Sequence, residues 1–440
     1  MSAISRRRLL QYGGAALATG WAARRGVIAA PKQDNEAMHI GAVLPSQTGL
    51  PPIAGQTSYR VPADAARKGI VMGGEEYARN AELLGRELKV FVATAPNAQA
   101  SRRAGARLLA NENCFALIGG FGTEQAQALS ELAAQRKVPF FNIAASSDQL
   151  RGNDCSRYTF HVEASAAMYL DAMAAWYVHA GFRRYFFVVA DTPEQQAHYQ
   201  RMRGALNNRH FGAKEAGHAV VAPDRPLYVD VFKKIRKAQP DVVVLMLDAV
   251  SQLDFLGQYE TSGLTAIPAS GYPDPVTQTR TFYAASRNAS AHAGSGYRAA
   301  LFEATIDKYG ARELNSRFRN RWGQPMDASA WAGYETVKML YETAAFSGTL
   351  DGPGMVEYLE SPQTSFDIHK GIGVSFRPWD HQLRQTVYLV KINPDADKAW
   401  NLASLAGELP EIYKPGTDPI ERLDQIGVLQ DDSQCNLGSL

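Results

Sequence analysis

The nine histidines of this chain are scattered, with no HExxH pair to hold a metal on one helical face and no Ser or Cys set in a nucleophile elbow. Ala293-Gly294-Ser295-Gly296 imitates such an elbow but lacks the GxSxG spacing. No P-loop occurs, and Gly119-Gly120-Phe121-Gly122 misses the GxGxxG spacing of dinucleotide sites. The pattern therefore speaks against an enzyme, a metal site and a bound cofactor. Asp380 and His381 in FRPWDHQLRQ invite an acid–base reading. The plainer account is a polar turn between two strands, with Trp379 as its anchor.

What the sequence does offer is small and hydroxyl residues placed just after apolar, strand-like runs. In open parallel sheets a ligand sits beyond the strand C-termini, where loops and helix N-termini present free backbone N–H groups. Three loops fit: Pro45-Ser46-Gln47-Thr48-Gly49, Phe121-Gly122-Thr123 and Ala144-Ala145-Ser146-Ser147. Each alone reads equally as a helix N-cap. All three at one sheet edge could cradle a carboxylate or similar polar head.

The elements that would position these loops alternate along the chain. Strand-like runs are expected at 39–44, 88–93, 116–119, 139–143, 184–189, 242–247 and 266–268. Amphipathic helical stretches separate them at 61–82, 98–112, 123–136, 165–180, 193–209, 228–238 and 251–261. This is the signature of βα units feeding mostly parallel sheets, in two series split near Tyr158–Glu163. Residues 301–360 read as almost wholly helical, broken at Gly352-Pro353-Gly354 before a last short helix, and two further strand-like runs follow at 372–376 and 385–392. The tail from Asn401 is rich in Pro, Gly and Asp and is expected to wrap a surface. Trp331 and Tyr334, three apart on one helical face, read as core, with a cleft wall as the alternative.

The N-terminus carries an address. Arg6-Arg7-Arg8, then a soft Gly/Ala-rich stretch to Ala23, resembles a twin-arginine export signal, with cleavage expected after Ala29. Removing residues 1–29 takes away five arginines and no acid, so the formal charge falls from +2 to −3. No basic stripe then remains for nucleic acid, and no later run reaches the roughly 18 apolar residues of a membrane helix. The mature chain is expected in the periplasm. There, two of the three cysteines can pair. Cys114 lies in the apolar run CFALIGG, so Cys155 with Cys435 is the favoured bond, and three free thiols the alternative.

The order HIGAVLPSQTG, FALIGGFGTEQAQALSELAAQRKVPFFNIAASS, PDVVVLMLDAVSQLDFLGQYETSGL and KGIGVSFRPWDHQLRQTVYLVKI resembles the solute-binding proteins of branched-chain amino acid ABC importers. FRPWDHQLRQ and the ending LDQIGVLQDDSQC resemble a subgroup that accompanies quinoprotein alcohol dehydrogenases. The resemblance implies an α/β, two-lobe type I periplasmic binding fold, each lobe a mostly parallel sheet flanked by helices. Its lobes would comprise 37–160 plus 291–367 and 161–290 plus 368–395, with the tail 396–440 across them.

Carried over by position, Gly122 and Thr123, after Phe121, fall where the amino acid binders hydrogen-bond their ligand. Ala144 and Ser146 fall where those proteins hold its carboxylate, while Ser46 and Gln47 line the cleft. Tyr272 stands where that family has the acid that meets the ligand ammonium, and Gln195 or Gln196 where it has an aromatic. Asp248 is the candidate replacement for the missing acid. The implied function is capture of a small solute with a carboxylate, amide or hydroxyl head. A monomer would deliver it to an inner-membrane permease with its ATPase. A ligand sensor, or an accessory partner of a quinoprotein dehydrogenase, would use the same lobes without transport.

Overall fold

The computed structural model describes residues 37–46, 58–209, 212–224, 227–291, 296–411 and 416–438. The expected export signal, Gln47 and Ala293-Gly294-Ser295 lie outside the described residues.

The first sheet contains β1 (Met38–Pro45), β2 (Leu88–Ala95), β3 (Ala116–Gly119), β4 (Phe140–Asn142) and β5 (Thr159–His161). Their order is β2-β1-β3-β4-β5, and every pairing is parallel. Crossovers run through α1 (Arg60–Leu83), α2 (Ala98–Asn111) and α3 (Thr123–Arg136). β3 and β4 are buried at every residue, as central strands covered by helices on both faces must be. The edge strand β2 is buried only at its two ends, Leu88 and Ala95, with half-buried and exposed positions between.

The second sheet repeats the plan with β6 (Arg184–Ala190), β7 (Lys214–Val221), β8 (Val242–Met246) and β9 (Ala269–Gly271) in parallel order β7-β6-β8-β9. Its helices are α4 (Ala166–His179), α5 (Pro193–Arg209), α6 (Val229–Ala238), α7 (Ala249–Glu260) and α8 (Arg280–Ala289). In both sheets strand order reverses beside the first strand, so each has a crevice at its carboxyl edge.

The chain then forms β10 (Tyr297–Ala300), α9 (Ala311–Trp322), α10 (Ala328–Phe346) and α11 (Gly352–Glu360). It returns through β11 (Val387–Ile392), β12 (Ala403–Leu409) and α12 (Pro419–Leu423). β11 pairs antiparallel with both β10 and β12, which makes a third sheet on which α4 packs. α10 is almost wholly buried against α1. Trp331 and Tyr334 both lie in that core, their polar atoms bonded to Ile368 O (2.9 Å) and Glu76 Oε2 (2.6 Å).

Several expectations shift. β5 falls inside the segment read as the split between the two series, and β7 and β10 sit where no strand was expected. The third strand of the second sheet to follow its helix, β9, begins just after the expected 266–268. Residues 301–310 are irregular; the expected break falls at 347–351, and Gly352-Pro353-Gly354 opens the last short helix, α11, under an Asp351 cap. The run 372–376 makes isolated bridges, Phe366 with Val374 and Phe376 with Leu383, and no regular strand.

FRPWDHQLRQ turns at Pro378-Trp379-Asp380, as expected, but most of the run on either side of that turn is buried. His381 stacks on Phe160 with centroids 4.3 Å apart, and its ring nitrogens meet Thr159 O and Glu360. His161 N donates to His381 O and Leu383 N donates to His161 O, both at 2.9 Å, so this run continues the first sheet past β5.

The tail contributes β12 and then straps the molecule. Asp424 accepts from Arg377 Nε and Arg384 Nε, both at 2.9 Å. Gly427 N donates to Asp171 Oδ2 of α4 (3.0 Å), while Arg201 of α5 donates to Gly427 O (3.0 Å). Trp379 donates to Val428 O (3.3 Å). Cys435 is bonded to Cys155, which lies between β4 and β5, with sulfurs 2.08 Å apart. Cys114 is a buried free thiol, and burial pushes its pKa up to about 12.

Candidate functional site

The carboxyl edges of the first two sheets face one another across a cavity of about 370 Å³, at the small end of ligand sites. From the first sheet it receives Gly122, Thr123, Glu124 and the loop Ala144–Ser147. The second contributes Thr192, Glu194, Gln195, Asp248, Tyr272 and Asp274, and Tyr59 enters from the turn before α1.

The loop after β3 is shaped by glycine. Gly122 has φ +82°, and a Cβ there would meet the Tyr59 hydroxyl at 3.2 Å, so a side chain would be both strained and crowded. Phe121 points away from the cavity, 4% exposed. It meets Tyr59 edge-on, with centroids 5.9 Å apart, and props that ring. Its N–H donates to Gln125 Oε1 at 2.6 Å.

The loop after β4 is wound around one buried amide. Asn142 Oδ1 accepts from Ala145 N (2.9 Å) and Ala144 N (3.3 Å), and Nδ2 donates to Ala145 O (2.7 Å). Asn142 Nδ2 also meets His161 Nδ1 at 3.0 Å. Burial, reinforced by Arg151 and His381, holds that imidazole well below its ordinary pKa, so Nδ1 can accept while the ring stays neutral. Arg151 supports the loop from behind, donating from Nη1 to Ala145 O (3.1 Å) and Ser147 O (2.9 Å).

On the opposite wall, Tyr272 stacks on His198 of α5 at 4.0 Å and 22°. Its hydroxyl meets Ser146 Oγ across the cavity at 3.0 Å. Burial drives the phenol pKa well above its usual value, so the hydroxyl keeps its proton. Asp248 lines the cavity but also caps α7, accepting from Val250 N (2.9 Å) and Ser251 N (3.1 Å). Asp274 accepts from Val276 N (2.7 Å) and Thr277 N (2.9 Å), and burial pushes its carboxyl up to about 6. Gln195 Oε1 is buried without a hydrogen-bond partner among the described residues.

The cavity thus brings together Gly122, Thr123, Ala144, Ser146, Gln195, Asp248 and Tyr272 from the sequence-derived set. Ser46 does not line it; its N–H continues the sheet to Ala95 O at 3.0 Å. Sequence reasoning missed Tyr59, Glu194 and Asp274. Glu194 opens a helix after Thr192-Pro193, and Asp274 sits in Pro273-Asp274-Pro275. Both carry turn or cap signals that do not announce a cleft. Among the described residues no group of His, Cys, Asp and Glu could hold a metal ion, and no helix is long and apolar enough to cross a membrane.

Solved structures share the architecture. A periplasmic binding protein from Burkholderia mallei superposes with a TM-score of 0.71 at 15% identity, covering 92% of this chain and 99% of its own. An amino acid ABC transporter substrate-binding protein from Pseudomonas fluorescens Pf-5 gives 0.71 at 17% identity, covering 85% and 95%. A solute-binding protein of an ABC transporter from Rhodopseudomonas palustris BisB5, in complex with 3,4-dihydroxybenzoic acid, gives 0.65 at 17% identity, covering 84% and 97%. No curated protein matches the sequence significantly. The family profile described as periplasmic binding protein matches residues 50–398. With that match over most of its length and two facing α/β lobes, the chain belongs to the periplasmic binding protein family, whose members bind solutes and whose name places them in the periplasm.

Proposed function

We propose that this protein captures a small organic solute between its lobes and delivers it to an inner-membrane ABC permease with its ATPase, without converting it. The observation that carries this reading is the cavity of about 370 Å³ between two sheet edges. A ligand there touches both lobes and so favours the closed form by differential contact. The solved relatives that carry amino acids or aromatic acids in their names support the same use of the fold. In this reading the chain is an exported monomer, sent by the twin-arginine route, with lobes of 37–160 plus 291–367 and 161–290 plus 368–395.

Of the expected head groups, amide and hydroxyl suit the wall better than carboxylate. The Ala144 N–H already donates to Asn142, and the Ser146 hydroxyl already meets Tyr272. The test is calorimetry and small-angle scattering of the mature protein over a panel of amino acids, amides, amines, alcohols and organic acids. Saturable binding with a compaction of the scattering profile is expected. An inert cleft across the panel, or turnover of any member, overturns the reading.

A further inference from the structure

Four carboxylates line the cavity, those of Glu124, Glu194, Asp248 and Asp274, and none of its described lining residues is Lys, Arg or His. Part of this acidity answers helix N-termini: Glu124 and Glu194 lie in the first turns of α3 and α5, and Asp248 caps α7. Each such terminus presents only about half a positive charge, so three of them leave the four carboxylates in excess. Asp274 lies at no helix terminus. Its neighbours Asp248 and Glu194 both act on it, and Glu194 and Asp274 together act on the Tyr59 and Tyr272 rings.

Arg151, the cation behind the Ala144–Ser147 loop, does not reverse this balance. The carboxylates of Asp148, Asp380 and Glu163, none of them in the cavity lining, act on its charge, and its donors are engaged by Ala145 O, Ser147 O, Glu163 O and Gln382 Oε1. Two of the donors that would greet a ligand carboxylate are engaged as well, Ala144 N with Asn142 and Ser146 Oγ with Tyr272. The acids do not converge tightly enough to cage a metal ion. Two phenols complete the wall, and aromatic faces attract organic cations.

Building on the reading of this cleft as a solute site, we propose that its ligand is an organic cation, an amine carrying no carboxylate. Its ammonium sits among Glu194, Asp248 and Asp274 and its body lies against Tyr59 and Tyr272. Gln195 Oε1, buried without a partner among the described residues, is a further acceptor for its N–H groups.

The experiment uses matched pairs. Benzylamine and tyramine are titrated calorimetrically into the mature protein beside benzoate and 4-hydroxyphenylacetate, with choline as a compact cation. The amines should bind at least about tenfold more tightly than their acids, and Glu194→Gln should weaken them about tenfold. Glu194 is exposed on the first turn of α5, so its substitution should move the melting curve only slightly, through the loss of its charge at that helix N-terminus. Asp274→Asn, which keeps the turn's acceptor, should weaken amines in the same way. Acids binding more tightly than amines would overturn the cationic assignment and leave solute capture standing. Silence from both series also overturns it, and silence from the wider panel overturns capture itself.

Discussion

Ser146 and Tyr272 stand 126 residues apart in the chain and meet hydroxyl to hydroxyl at 3.0 Å, joining the two walls of the cleft. The bond is part-buried and neutral, so it contributes about 1 kcal/mol. Tyr272→Phe keeps the stack on His198 and removes only the bond. Urea unfolding should fall by about that amount, and the ligand-free protein should scatter as a more open particle. Ser146→Ala should do the same, and the double variant should add little. An additive double variant would show that the two hydroxyls do not act as a pair.

His198 ties stability to acid. It is 5% exposed, and burial pulls its pKa down to about 4 from 6.5. Between those values the unfolded chain takes up a proton that the native ring refuses. This contribution is therefore complete above pH 6.5 and is lost as pH falls toward 4, by about 3 kcal/mol in all. His198→Phe preserves a ring beneath Tyr272. The stability difference between the wild type and this variant should shift by about that amount from pH 7 to pH 4, read by urea titration at each pH.

Asn142 is the hub of the loop after β4, bonded to both amides that follow and to the Ala145 carbonyl. Asn142→Ala leaves those buried groups unpaired and should cost about 2–3 kcal/mol. Because the loop forms one wall of the cavity, calorimetry should also show binding lost before the fold is.

Two glycines give opposite results. A Cβ on Gly69 of α1 would lie 1.9 Å from the Ala330 carbonyl oxygen of α10. Gly69→Ala should therefore push two packed helices apart and cost about 3 kcal/mol or more. Gly204 of α5 has nothing within 4 Å of an added Cβ. Gly204→Ala should stabilise by about 0.5–1 kcal/mol. Thermal melts of the pair separate close packing from helix propensity.

Cys155 and Cys435 close a loop across a separation of 280 residues, for which chain entropy allows at most about 5–6 kcal/mol. Cys435→Ser should lower unfolding stability by at least about 2 kcal/mol. Thiol titration of the unreduced, denatured wild type should find one reactive thiol, Cys114. Three would remove the bond from the account.

The central strands were plain in the sequence because burial on both faces leaves unbroken apolar runs: Ala116–Gly119 and Val242–Met246 need no context to be read. β7 was not, since Lys214–Val221 is an edge strand that mixes Lys, Glu and His with short apolar stretches. β12 hid in a tail whose ASLAGEL carries little alternation until β11 pairs with it. The same divide runs through the site. Gly122, Thr123 and Ser146 were legible because they follow strands directly. Tyr59 reaches the cavity from the far side of an 11-residue segment outside the described residues, 47–57. Its place depends on how α1 docks, which no local pattern encodes. Asp274 reads as a turn residue and becomes a wall only once β9 aims its loop at the facing sheet.

The cystine makes residues 155–435 a closed ring, and that ring holds the whole second sheet with every stretch that links it to the first. A protease that cuts any one of those linkers produces a nicked molecule, not two fragments. The halves stay tethered, so the two sheets can come back together around the break. In a compartment rich in peptidases, a chain built this way tolerates a single scission in a linker, and covalent separation takes reduction as well as cleavage.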